Sequence, residues 1–140
     1  MVILEKYKFI EDLTSDVLYE AYGKDLKELF ENAALALLSV VCQIDKVKAE
    51  KPEEFEMKGE DLESTLFNWL QGIIAIVDTE GMFFSKVEIQ EVDEHHVRAK
   101  LYGQTAKPEI GGTVVKAVTY YKYKLEKTKE GYKVTVSLDI

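Results

Sequence analysis

The sequence predicts an α+β fold: a single domain over residues 1–140 in which a mostly antiparallel β-sheet carries two amphipathic helices. Three observations predict it. Two segments, around residues 26–41 and 62–77, repeat apolar side chains at helical spacing. The segments after residue 86 alternate apolar and polar residues with the period of a strand. No linker, repeat or low-complexity stretch interrupts the 140 residues, a length usual for one domain.

Taken in order, Lys6 to Ile10 and Val17 to Tyr22 read as strands, separated by the polar turn Glu11-Asp12-Leu13-Thr14-Ser15-Asp16 and closed by Gly23. Leu26, Leu29, Phe30, Ala33, Ala34, Leu37, Leu38 and Val41 form one apolar stripe. Asp25 is placed to cap this first helix, with Glu28 completing a capping-box-like pair, and the helix fades near Gln43. Val47 to Met57 is charged and contains Pro52, which suits two short edge strands or one bent strand. A second helix begins around Glu60 and Asp61. It buries Leu62, Leu66, Trp69, Leu70, Ile73 and Val77, is weakened by Gly72 and stops before Gly81. Val87 and Ile89, then Val97, Ala99 and Leu101, make a hairpin about the charged turn Asp93 to His96. Pro108 to Gly112 is a loop, Val114 to Leu125 a long strand and Tyr132 to Leu138 the last strand. In that strand Tyr132, Val134, Val136 and Leu138 share one face.

Charge narrows the function. Eighteen Lys and Arg against 26 Asp and Glu leave a net −8. Such a surface repels phosphate and opposes tight direct binding of nucleic acid, but it steers the chain toward a basic partner. The single cysteine, Cys42, excludes an internal disulfide and agrees with a reducing, cytoplasmic setting. The opening Met1 to Lys6 lacks a signal-peptide pattern, and the apolar run Ile73 to Val77 is too short for a membrane span.

No catalytic constellation stands out. His95 and His96 are adjacent, so in a strand they point apart, and they read as surface residues. Cys42 reads as a buried, inert thiol. Phosphate-binding loops, dinucleotide fingerprints, nucleophile elbows and Cys-x-x-Cys pairs are absent from the sequence. Carboxylates remain. If the first turn meets the last strand, Asp16, Asp139 and the carboxyl group of Ile140 converge as oxygen ligands, suited to Ca²⁺ or Mg²⁺ rather than zinc. On spacing alone, a solvated turn beside a frayed terminus accounts for the same residues. Asp12 shares that turn. Asp78 and Glu80 place acids at the exit of the second helix, against its dipole. Lys116, within the expected long strand, is either an edge guard or a placed cation.

Several stretches together resemble the archease family: Leu13-Thr14-Ser15-Asp16 followed by Ala21-Tyr22-Gly23; Phe30 to Ala36; Glu60 to Glu63 and Asp78 to Gly81 bracketing the second helix; Val115 to Tyr120; and the terminal Asp139-Ile140. Their order covers nearly the whole chain. The resemblance implies a non-enzymatic accessory protein that activates the RtcB-type RNA ligase of tRNA splicing, promoting its guanylylation and turnover. It implies Ca²⁺ held by Asp16, Asp139 and the Ile140 carboxylate, with Mg²⁺ as the alternative ion. Asp12, Asp78, Glu80 and Lys116 become partner-facing or site-supporting residues. A second role associated with the family is that of a chaperone-like partner keeping a tRNA methyltransferase from aggregating. Two family histidines are replaced, by Leu13 and by Tyr121, and the loop Glu109-Ile110-Gly111-Gly112 also departs from the family pattern.

Overall fold

The protein is described by a computed structural model covering residues 5–12 and 16–140. Seven strands run in the order β1 (Tyr7–Ile10), β2 (Val17–Gly23), β3 (Lys51–Lys58), β4 (Met82–Val92), β5 (His96–Thr105), β6 (Ala117–Thr128) and β7 (Gly131–Asp139). Helix α1 (Leu26–Val41) lies between β2 and β3, and α2 (Leu62–Glu80) between β3 and β4. The strands form two antiparallel sheets, β1-β2-β7-β6 and β3-β5-β4. Alternation along each strand specified the two faces but not the division into two sheets. Each helix packs against both sheets.

The helix starts follow from their caps. The Asp25 carboxylate accepts the Glu28 N–H at 2.9 Å. The return contact from Glu28 goes to the Lys24 N–H, one residue ahead of the cap, rather than to Asp25. Helix α2 has the full reciprocal box: Asp61 accepts from the Ser64 N–H, and Ser64 Oγ accepts from the Asp61 N–H. It ends at Gly81, whose φ of 61° is left-handed and favours a residue without Cβ.

Leu29, Phe30, Leu37 and Leu38 of α1 meet Trp69, Leu70 and Ile73 of α2 in one core. Each such side chain contributes roughly 1.5–3 kcal/mol on burial. Two of the polar groups taken inside are satisfied, Tyr19 Oη donating to the Ala33 carbonyl and Trp69 Nε1 to the Phe30 carbonyl, whereas Thr119 Oγ1 is buried without a hydrogen-bond partner. Trp69 lies flat on Phe55, with ring centroids 5.0 Å apart. Phe55 and Met57 also pack onto Gly72, where a Cβ would come within 3.1 Å of them. Gly72 thus makes room for β3 on the helix.

Four boundaries differ from the sequence reading. Of the two alternatives for residues 47–57, a single edge strand is found, but it begins only at Lys51 and runs to Lys58, with Pro52 on the edge, and a 3₁₀ turn at Ile44–Lys46 precedes it. The hairpin strand starts earlier, at Met82, directly after the helix cap. The loop after residue 107 holds a short 3₁₀ turn, Pro108–Ile110. The strand expected from Val114 begins only at Ala117 and continues to Thr128. Residues 112 and 113 instead bond the carbonyls of Val41 and Val40 at the end of α1, drawing this stretch away from the ladder. Lys116 therefore precedes the strand. Leu13, Thr14 and Ser15 of the first turn, and Met1 to Leu4, lie outside the described residues. Among the described residues no helix is long and apolar enough to cross a membrane.

Candidate metal and docking site

The site lies at one end of the four-stranded sheet. Val17 pairs with Leu138, and continuing that register places Asp16 opposite Asp139. On the other side of β7, Ala117 pairs with Asp139, and the Lys116 N–H donates to the Asp139 carbonyl at 2.7 Å. Asp16 Oδ2 accepts the Ile140 N–H at 3.1 Å. The structure thus gathers Asp16, Asp139, Ile140 and Lys116 at the same edge, all four exposed. Antiparallel pairing of an early strand with the last one is what brings the two ends of the sequence together.

Asp16, Asp139 and the Ile140 carboxylate are hard oxygen donors, the class that suits Ca²⁺ or Mg²⁺. Among the described residues no three His, Cys, Asp or Glu side chains come together to hold a metal. The tip supplies two such side chains. The residues present fit a hard cation only with the Ile140 carboxylate as the third anion.

Asp12 is engaged differently. Its carboxylate takes the Lys122 ammonium at 2.7 Å and Tyr121 Oη at 3.4 and 3.5 Å. The Asp12 side chain is 8% exposed and that of Lys122 is 56% exposed. The hydrogen bond to Asp12, then its charge, raise the Lys122 pKa. Asp12 therefore carries its counter-charge within the protein. The contact rests on a break in β6. Between the Thr119–Ser137 and Lys124–Thr135 pairs, β6 takes five steps, 119 to 124, while β7 takes two. The three extra residues form a bulge, with Lys122 at a φ of 54°, uncommon for a residue with a side chain. To reach this bulge from the β1–β2 turn, Asp12 crosses β7. Leu18 and Ser137, on the sheet face away from the helices, are buried there.

Asp78 and Glu80 are exposed in the last turn of α2. Asp78 lines a largely apolar cleft of about 270 Å³ together with Val41, Ile74, Val77, Phe83 and Val115. Val115 is next in sequence to Lys116, so cleft and tip adjoin.

The histidines occupy surface roles. His96 Nε2 lies 3.1 Å from Glu56, and the His95 N–H caps the turn on Asp93. Cys42 is buried, and burial pushes its thiol pKa up to about 11. Sequence reasoning missed the Asp12–Lys122 contact and the ring cluster of Phe67, Tyr120 and Tyr123. The signal available for both was Tyr120-Tyr121-Lys122-Tyr123, a run of large side chains that breaks strand alternation.

Two antiparallel sheets around two helices, with an acidic edge where the first turn meets the final residues, make this a small α+β protein. Solved structures share this fold. The solution structure of Methanobacterium thermoautotrophicum protein 1598 superimposes with a TM-score of 0.79 and is 34% identical, covering 96% of this chain and 99% of that one. A Thermotoga maritima crystal structure, described as an archease and possible chaperone, shares the fold at a TM-score of 0.67 and 23% identity, each chain covered in full. The chain belongs to the archease protein family, whose model matches residues 7–140. Protein archease of Archaeoglobus fulgidus is 40% identical over 139 residues, covering 96% of this chain and 99% of the relative. That of Methanosarcina acetivorans is 37% identical over 142 residues, covering 97% of each.

Proposed function

We propose that this archease-family chain is a non-enzymatic accessory protein that activates an RtcB-type RNA ligase of tRNA splicing. It would promote guanylylation and turnover of the ligase through an acidic tip that carries Ca²⁺, with Mg²⁺ as the alternative ion. The observation that supports the reading is the hydrogen bond from the Ile140 N–H to Asp16 Oδ2, which joins the last strand to the first turn. A net charge of −8 suits transient docking in a ligase groove that itself binds RNA, with association that slows as salt rises. Lys116 beside the tip, together with Asp78 and Glu80 at the end of α2, would be partner-facing or site-supporting residues, and a cytoplasmic location goes with this role. The test is ligase turnover with substoichiometric amounts of this protein. Stimulation should be lost in Asp16→Ala and Asp139→Ala. Stimulation unchanged in both variants would contradict the site.

A second reading, a chaperone-like partner for a tRNA methyltransferase, draws on the apolar cleft and on Val114, which is 78% exposed beside it. It requires stoichiometric protection rather than multiple turnover. Light scattering of the heated methyltransferase, with and without this chain, separates the two.

A further inference from the structure

The β6 bulge does more than receive Asp12. Tyr120, its first residue, is 73% exposed. One face of its ring lies flat on Phe67 of α2, with centroids 4.1 Å apart and planes within 2°. Tyr123 meets both rings edge-on, at 5.4 Å from Phe67 and 6.3 Å from Tyr120. Tyr123 is itself fixed, because its hydroxyl donates to the Glu63 carbonyl at 2.6 Å. That bond sets Glu63, an exposed acidic residue in the first turn of α2, beside the cluster. The result is a rigid ring with its back covered, its outer face toward solvent and the acidic residue Glu63 next to the cluster. It is displayed by a bulge that leaves Lys122 with a positive φ. Strained backbone persists where surrounding structure holds it, and such places often carry function.

A planar cation fits this surface best. An aromatic face attracts a cation placed over it, and a guanidinium both stacks on the ring and pairs with a neighbouring carboxylate. A nucleic-acid base would gain the stacking but would bring phosphates to a chain of charge −8. We propose that Tyr120, backed by Phe67 and flanked by Glu63, is the anchor for an arginine side chain of the basic partner protein. This rests on the reading that the partner is a basic, RNA-binding protein, and it names one contact that reading leaves open.

The full-length protein is titrated with hexa-arginine and, separately, with hexa-lysine of equal charge, following the Tyr120 ring resonances and the affinity. Hexa-arginine should bind about three- to fivefold more tightly, the scale of one exposed cation–π contact, and should shift the Tyr120 ring. Tyr120→Phe should keep the preference. Tyr120→Leu, which still covers Phe67 but has no π face, should abolish it while its thermal midpoint stays close to the wild type. Equal binding of the two peptides, or an undiminished arginine preference in Tyr120→Leu, would overturn the proposal. So would Tyr120-dependent binding of hexauridylate at physiological salt, which would assign the ring to a base. In the ligase assay Tyr120→Leu should raise the half-stimulating concentration about threefold without lowering maximal stimulation. An unchanged half-stimulating concentration would also overturn it. A wild-type chain that fails to stimulate the ligase removes the proposed function, and the peptide titration still decides the role of Tyr120.

Discussion

Asp16 and Ile140, 124 positions apart in sequence, are joined by a hydrogen bond of 3.1 Å from the Ile140 N–H to Asp16 Oδ2. The bond extends the β2–β7 pairing by one step beyond Val17 and Leu138. A side chain replaces the backbone acceptor there and ties the last residue to the turn that carries Asp12 and Asp16. The tip is thus organised by sheet pairing, which sets the acidic residues Asp16 and Asp139 in one row with Lys116.

The Asp12–Lys122 contact gives a first prediction. Asp12→Ala removes a nearly buried carboxylate that holds a bulged strand, while Lys122 is exposed enough for solvent to screen much of the pair. The expected loss is about 1 kcal/mol, a fall in Tm of roughly 3–5 °C for a domain of this size. Lys122→Ala loses the ion pair and keeps a side chain at positive φ, whereas Lys122→Gly loses the pair and relieves the backbone. The glycine variant should be the more stable of the two by roughly 0.5–1 kcal/mol. Urea unfolding of the three variants measures both differences, and equal stability of the two Lys122 variants would deny the strain.

Gly103 gives a second. It pairs with Phe84 where the β4–β5 register shifts, and a Cβ there would collide with the Phe83 carbonyl oxygen, a backbone atom. No side-chain rotation relieves that clash. Gly103→Ala should cost roughly 1–3 kcal/mol or more, visible as a lower urea midpoint with an unchanged slope.

Cys42 supplies a prediction in pH. Burial raises its pKa from the ordinary 9.0 to about 11, so the folded state holds this proton more tightly than the unfolded chain does. Stability from this group is therefore complete below pH 9 and declines as pH rises toward 11. At pH 8 only about one thiol in a thousand is ionised. The native protein should resist a thiol-disulfide reagent at pH 8 and react fully once unfolded in urea. Rapid reaction of the native thiol would contradict its burial.

Much of this architecture is legible in the sequence. Both helices read out because Leu26 to Val41 and Leu62 to Val77 keep a clean stripe and begin at aspartates that do cap them. Gly81 was readable as a stop because only a left-handed residue ends the helix there. What escaped depends on contacts distant in sequence. Val114 and Val115 look like strand residues by composition, yet the backbone just before them is bonded to the end of α1. The β6 bulge is invisible to period-two reasoning, because it exists to seat Tyr120 and Tyr123 against Phe67 and Lys122 against Asp12. Spacing alone leaves the meeting of Asp16 with Ile140 open, and only the family resemblance implies it. The engagement of Asp12 by Lys122 is implied by neither, since 110 positions separate them.

The central claim, that Asp16, Asp139 and the Ile140 carboxylate share one hard cation, is tested most directly by calorimetric titration of Ca²⁺. The full chain is compared with Asp16→Ala and with a chain lacking Asp139 and Ile140. The full chain should bind one ion saturably. Both variants should bind it more weakly by at least roughly tenfold, the loss already typical of removing an outer partner of a metal ligand. A full chain that takes up no calcium, or a shortened chain that binds it equally well, would contradict the account.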